Sequence, residues 1–338
     1  MRAAKQVAAG EWGAMTDAPR YLVADIGGTN ARFAMACGSV TEGFRLEHVR
    51  RFRNEDFDQL RDAALAYLET CPSNPPQRAC FAIASPITPG RIQLTNSAWS
   101  FSPETLSGVL GLDDLLAVND FAAQARGAPL TPAEDLVLIN DGDARPGTPQ
   151  AVLGPGTGLG LGLLVPDGER LRVVATEGGH AGFAPRTALE IEILRELQRE
   201  YGFVSWERLL SGRGLLNLHR AVCRIEGVEW TGERPEHITQ TALENPDSLS
   251  ARVVELFCTL LGGYAGDVAV LTGSRGGIYL GGGILPKIRP MLEQSGFLER
   301  FADREPMSDY VRKIPVHLIC SGGAALRGAA ALAEQGYL

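Results

Sequence analysis

Short apolar runs, broken by glycine and proline, mark out strands along much of this chain. Tyr21–Asp25 and Arg32–Cys37 read as paired strands around a Gly-Gly-Thr-Asn turn. Cys80–Ala84 and Arg91–Thr95 resemble two more, separated by a Pro/Gly turn at Ser85–Gly90. Ser102 before Pro103 gives a helix its N-cap and first residue. Leu115–Val118 is a short buried strand, and Phe121–Arg126 starts a helix. Residues 131–150 are rich in Pro, Asp and Gly with no strong period, so they read as a crossing between lobes. Ala151–Leu153 and Leu161–Val165 flank a glycine-rich turn as a hairpin. Thr187 and Glu190 form a capping box, with Leu189, Ile193 and Leu197 on one helix face behind it. A long apolar helix covers 248–270. Gly277–Leu280 and Pro315–Cys320 are later strands, and Ala324–Glu334 is the last helix. No residue-level repeat is visible.

This order of strands then helices, met twice, predicts two α/β lobes rather than one doubly wound sheet. At 338 residues the chain is too long for one small core, and 45% hydrophobic with 21% charged residues suits a globular enzyme. Residues 1–20 lack the apolar stretch of a signal peptide and read as a disordered extension, with Met15 an alternative start to Met1. No segment reads as apolar enough to span a bilayer. A net charge of −8 disfavours nucleic-acid and anionic-membrane partners. Six scattered cysteines without metal-ligand spacing point to reduced thiols in a cytoplasm rather than a disulfide framework or a zinc site.

Candidate chemistry sits in two glycine loops and a carboxylate between them. The first loop, Asp25-Ile26-Gly27-Gly28-Thr29-Asn30-Ala31-Arg32, lets the backbone approach phosphate oxygens, and Asp25 can hold Mg²⁺ through water. The second, Gly154-Pro155-Gly156-Thr157-Gly158-Leu159-Gly160, has glycine at four alternating positions and reads as an anion nest. A strand follows it rather than a helix, which disfavours a dinucleotide fold. Either loop, taken alone, would also serve as a plain hairpin turn. Asp120, just past a strand end, suits a base that accepts a hydroxyl proton in phosphoryl transfer; it suits a helix cap equally well. Glu177, His180 and Glu207 could accept or donate to vicinal sugar hydroxyls, or be ordinary surface and core groups. Two loops that clamp a polyphosphate, with a carboxylate at the cleft, read as a phosphotransferase of the sugar kinase, hexokinase and actin architecture.

The stretches ADIGGTNARFA, LTNSAWSFS, AVNDFAAQA, GPGTGLGLG, EGGHAGFAP, ERLLSGRGL and IYLGGGILPK, in this order from about residue 21 to the end, resemble the bacterial glucokinases of the non-repressor type. The resemblance implies a two-lobed hexokinase/actin-like (ribonuclease H-like) α/β fold, with mixed sheets flanked by helices and a cleft between lobes. It implies a small domain over 21–130, joined by the C-terminal helix 321–338, and a large domain over 131–320. The activity it implies is ATP-dependent phosphorylation of the 6-hydroxyl of D-glucose, with Mg²⁺, in a homodimer. Asp120 would be the catalytic base and Asn119 its neighbour on the sugar, with Glu177, His180 and Glu207 on the other hydroxyls. Ala24, Asp25, Ile26, Gly27, Gly28 and Thr29 would meet the nucleotide phosphates, as would Gly156, Thr157 and Gly158. Gly281, Gly282 and Gly283 would pack near the adenosine. Gly182, Pro155 and Ser321-Gly322-Gly323 depart from the family pattern, the last at the junction with the final helix. The alternatives are a kinase for another hexose or an amino sugar, a phosphohydrolase on the same fold, and a non-catalytic sugar-sensing regulator. Missing cysteines after His180 and missing room for a DNA-binding helix pair count against the repressor-type kinase and the regulator.

Overall fold

Two sheets of one design carry the chain, in a computed structural model that describes residues 18–71, 76–85, 87–88, 90–94, 97–168, 170–232 and 234–336. Most of the N-terminal extension, Met15 included, lies outside the described residues, as do Thr95 and the two prolines of the 85–90 turn. The first sheet is built from β1 (Arg20–Ile26), β2 (Asn30–Ser39) and β3 (Gly43–Arg53), then, after α1 (Leu60–Glu69), β4 (Arg78–Ile83). A small hairpin of β5 (Ile92–Gln93) and β6 (Ser100–Phe101) follows, then α2 (Pro103–Leu110), β7 (Asp114–Asn119) and α3 (Asp120–Gly127). Its strand order is β3-β2-β1-β4-β7, antiparallel through the first three strands and parallel from β1 to β7.

The second sheet repeats that plan. It contains β8 (Leu136–Asn140), β9 (Gln150–Pro155), β10 (Leu159–Asp167) and β11 (Arg170–Thr176). Helices α4 (Ala188–Tyr201), α5 (Gly212–Glu226), α6 (Pro235–Glu244) and α7 (Leu249–Thr272) precede β12 (Ile278–Leu280). Helices α8 (Arg289–Gln294), α9 (Phe297–Ala302) and α10 (Ser308–Arg312) precede β13 (Val316–Ile319), and α11 (Ala324–Gln335) ends the described chain. The order is β11-β10-β9-β12-β13-β8. Without the edge strand β8, this is the first sheet again: an antiparallel three-strand meander continued by two parallel strands. The repeat is one of topology, which explains why no residue-level repeat is visible.

The helices that leave the last parallel strand of each repeat cross over. α3 leaves β7 and packs on β10 and β11 of the other sheet, and α11 leaves β13 and packs on β1, β2 and β4. The two helices touch backbone to backbone. A Cβ on Gly127 would overlap the Ala324 carbonyl, and one on Gly328 would overlap the Ala123 carbonyl, so both positions need glycine. The alanine-rich core around them holds Ala122, Ala123, Ala125, Ala329 and Ala330, with Tyr21, Val23 and Val152 from the sheets. The opposite face of the first sheet, through Leu22, Ala24 and Ile26, packs on α1 and α2, as strand alternation requires.

Several sequence expectations need correction. The 131–150 crossing contains strand β8. The Arg91–Thr95 run shortens to β5, which pairs only with β6. Strands β3 and β6 and helices α1, α5, α6, α8, α9 and α10 are further elements that the sequence pattern does not predict. On α4, Thr187 caps as expected, accepting from Glu190 N at 3.2 Å, but the Glu190 carboxylate accepts from Arg186 N, one residue earlier than a capping box requires. Leu189 is 41% exposed, and Glu190 takes its place on the inner face with Ile193 and Leu197. Glu190 is tolerated there because Arg300 of α9 donates to both carboxylate oxygens, at 2.8 and 2.6 Å. Finally, α7 is long and apolar enough to cross a membrane by length and composition. Its apolar window is 72% buried, in the core formed with α5, α6, α9 and the second sheet.

Candidate active site

The two glycine loops are the same hairpin in the two repeats. Residues 27–29 join β1 to β2, and residues 156–158 join β9 to β10. In the first, Gly27 N donates to Asn30 O at 2.9 Å, and the Asn54 side chain donates to Gly27 O at 2.9 Å, which pins the turn from outside. Asp25, at the end of β1, accepts from Arg32 at 2.8 Å. A pocket of about 440 Å³ lies over Gly27, Gly28, Thr29 and Asn30 and reaches Asp25 and Arg32.

In the second hairpin the alternating glycines divide by face. Side chains at Gly154 and Gly160 would run into the Phe121 ring of α3, so these two serve helix packing rather than an anion nest. At the tip, Gly156 N donates to Gly158 O at 2.8 Å, and Gly212 N donates to Gly156 O at 2.8 Å. The Glu207 carboxylate accepts from Leu159 N at 3.0 Å, which ties it to this loop.

Asn119 and Asp120 divide the cap and the carboxylate. Asn119 is the N-cap of α3, its Oδ1 accepting from Phe121 N at 3.0 Å and Ala122 N at 3.2 Å. Asp120 is the first helical residue and accepts from Phe121 N at 2.8 Å. Burial pushes its carboxyl up to about 6, with the nearby Asp25 charge acting in the same direction; the backbone N–H groups of the helix start work against both. A carboxylate tuned near 6 is matched to general-base work close to neutral pH.

A cavity of about 450 Å³ brings Asp25, Arg32 and Asp120 together with Gly282 and Gly283 of the turn after β12. Gln124, Cys320 and Ser321 also line it, and motif reading had singled out none of the three for a role there. The signal available for Gln124 was its helical spacing from Asp120. At the Ser321-Gly322-Gly323 departure, a Cβ on Gly322 or Gly323 would crowd the guanidinium end of Arg32 or Arg327.

Glu177 and His180 lie in the turn after β11, which packs against β10, with Glu177 Oε2 3.8 Å from His180 Nε2. Their side chains are 92% and 58% exposed. Backbone bonds Trp206 N to Ala181 O and Phe183 N to Val204 O hold this turn beside the segment bearing Glu207. The three therefore share one patch around the start of β10, and none of them lines the cavity under Asp120. No group of three or more His, Cys, Asp or Glu forms a metal cage among the described residues, and no cysteine among them is in a disulfide.

A repeated meander-plus-parallel sheet, with a glycine-rich turn in each repeat and a raised carboxyl between them, is the arrangement of a sugar kinase of the hexokinase/actin-like fold. The sequence profile of the glucokinase family matches residues 22–336. A glucokinase of Chromobacterium violaceum is 43% identical over 310 residues, 92% of this chain and 88% of that protein. A glucokinase crystal structure from an Antarctic psychrotroph superposes with a TM-score of 0.88 at 37% identity, covering 94% of this chain and 99% of that one. The Balamuthia mandrillaris glucokinase in complex with glucose shares the fold, with a TM-score of 0.75 at 22% identity over 95% of each chain. The chain belongs to the glucokinase family, and is an enzyme that phosphorylates glucose at the expense of ATP.

Proposed function

We propose that the enzyme transfers the γ-phosphoryl group of ATP to the 6-hydroxyl of D-glucose with Asp120 as general base. The observation that carries this is the half-buried Asp120 carboxyl at the start of α3, raised to about 6 and lining the cavity it shares with both the Asp25 turn and Gly282–Gly283. As the sugar O6 attacks the γ-phosphorus, its proton passes to Asp120. The O6–P bond forms, the bond to the β-bridging oxygen breaks, and ADP leaves. Asn119 lies beside the base on the sugar. Glu177, His180 and Glu207 take the other hydroxyls, since carboxylates and imidazole pair with vicinal diols.

Ala24, Ile26, Gly27, Gly28 and Thr29 with Asp25, and Gly156, Thr157 and Gly158, hold the phosphates. Gly281, Gly282 and Gly283 flank the adenosine. Mg²⁺ suits this donor set of one or two carboxylates, Asp25 foremost, since it is a hard ion that keeps several waters beside phosphate oxygens. When bound it would neutralise phosphate charge.

Residues 21–130 with α11 form one lobe and 131–320 the other. Asn119 and Asp120 belong to the first, and Glu177, His180 and Glu207 to the second. The exposure of Glu177 and His180 fits lobes that glucose draws together. On the family resemblance, the enzyme works as a homodimer in the cytoplasm at the entry to glycolysis.

A coupled assay with a hexose panel tests the reading. An inverted hydroxyl leaves polar groups that the closed lobes bury unpaired, at roughly 1–3 kcal/mol each. Glucose should therefore beat galactose clearly in kcat/KM, and Glu177→Gln should narrow the gap. Equal kcat/KM for both sugars would overturn the assignment.

A further inference from the structure

Gln124 stands four residues after Asp120 on α3, so both side chains lie on one face, about 6 Å apart along the axis. Both line the cavity that also receives Asp25, Arg32, Gly282 and Gly283. Gln124 is not used to hold the fold together: its amide has no hydrogen-bond partner among the described residues. Its space is made by Gly281. A side chain there would overlap Gln124 Nε2, while Gly281 N is anchored to Leu153 O at 2.7 Å. The backbone is therefore fixed, and the amide is the part that would have to move.

The charges around the cavity show what such an amide can do. Asp25 and Asp120 are carboxylates, which repel phosphate, and the Arg32 guanidinium is engaged with Asp25. On the α3 wall the Gln124 amide is a donor free of any ion pair, and it adds no charge beside the base. Phosphate oxygens accept, and a neutral donor to a charged acceptor makes one of the stronger hydrogen bonds.

We propose that Gln124 is a nucleotide-orienting residue that donates Nε2–H to a β- or γ-phosphate oxygen of ATP, and that Gly281 is glycine to leave room for this amide. This rests on the reading that the cavity holds the nucleotide.

Calorimetry with the non-hydrolysable analogue AMPPNP, alongside steady-state kinetics, tests it. Gln124→Ala should weaken AMPPNP binding by roughly tenfold to a hundredfold and raise KM for ATP to match. KM for glucose and binding of AMP should stay within about twofold. Gln124→Glu, of the same size but only an acceptor, should lose more. Gly281→Ala should weaken AMPPNP binding in the same direction but by less, because the amide end of Gln124 can turn away from the added methyl, and the double variant should be no worse than Gln124→Ala. AMPPNP affinity within twofold of wild type in Gln124→Ala, wild-type affinity in Gln124→Glu, or an equal loss for AMP would each overturn the proposal. Gly283→Trp separates the two levels, since the space beside Gly283 is open. If it leaves AMPPNP binding unchanged, the nucleotide lies elsewhere and both readings fall. If it abolishes binding while Gln124→Ala does not, Gln124 alone is refuted.

Discussion

Replacing Asp120 with asparagine should make the protein more stable at alkaline pH and nearly inactive. Burial, with Asp25 nearby, raises this carboxyl from 3.8 to about 6. A group whose folded value lies above its unfolded value favours the fold fully at pH below the unfolded value. It loses that contribution as pH rises through the folded value. At pH 8 the wild type therefore carries the cost of an ionised, half-buried carboxylate, and the asparagine variant does not. Two units at about 1.4 kcal/mol each give roughly 3 kcal/mol, and solvent screening brings this to about 1–3 kcal/mol. The asparagine oxygen still accepts from Phe121 N, so the helix start is kept. For a chain this long the gain corresponds to a rise in Tm of about 1–4 °C at pH 8, fading to nothing near pH 4. Scanning calorimetry of the ligand-free protein from pH 4 to 8 reads it directly. The same carboxylate is the proposed base, so turnover should fall by roughly 10²–10⁴-fold, and wild-type kcat/KM should drop as pH falls below about 6. A variant no more stable than wild type at pH 8 would refute the strained carboxylate. One with near wild-type kcat would reduce Asp120 to a structural residue of α3.

Two further outcomes follow from the packing. Arg300→Met should cost about 3–5 kcal/mol, because it leaves the Glu190 carboxylate, 2% exposed, buried without its partner; adding Glu190→Leu should restore most of the loss in denaturant titrations, and a single variant as stable as wild type would show that Glu190 reaches solvent. Saturating glucose should lower the radius of gyration in small-angle scattering as the lobes close, and an unchanged radius with glucose bound would mean a preformed cleft.

Local chemistry made many elements legible in the sequence. Apolar runs on either side of a Gly-Gly-Thr-Asn turn mark β1 and β2, Ser102 and Pro103 mark the start of α2, and a long apolar row marks α7. The candidate site was legible as a set of motifs because phosphate turns and a strand-end carboxylate have short-range signatures.

Other features depend on contacts between distant segments, and only the tertiary structure decided them. Leu189 and Glu190 are neighbours in a helical pattern, and the arginine of α9, 110 residues on, determines that the charged one is buried. Gly154 and Gly160 read as part of a phosphate nest, and the Phe121 ring against them assigns them to packing. A run able to span a bilayer by composition becomes a core helix once α5, α6 and α9 surround it. The repeat itself lies in strand order and not in residues, since a sheet constrains direction and alternation rather than identity. The exchange of α3 and α11 between sheets, which places Asp120 and Gln124 over the cavity, rests on two glycines 201 positions apart, Gly127 and Gly328. Each is unremarkable in its own stretch of sequence, and each is needed only because the other helix passes so close.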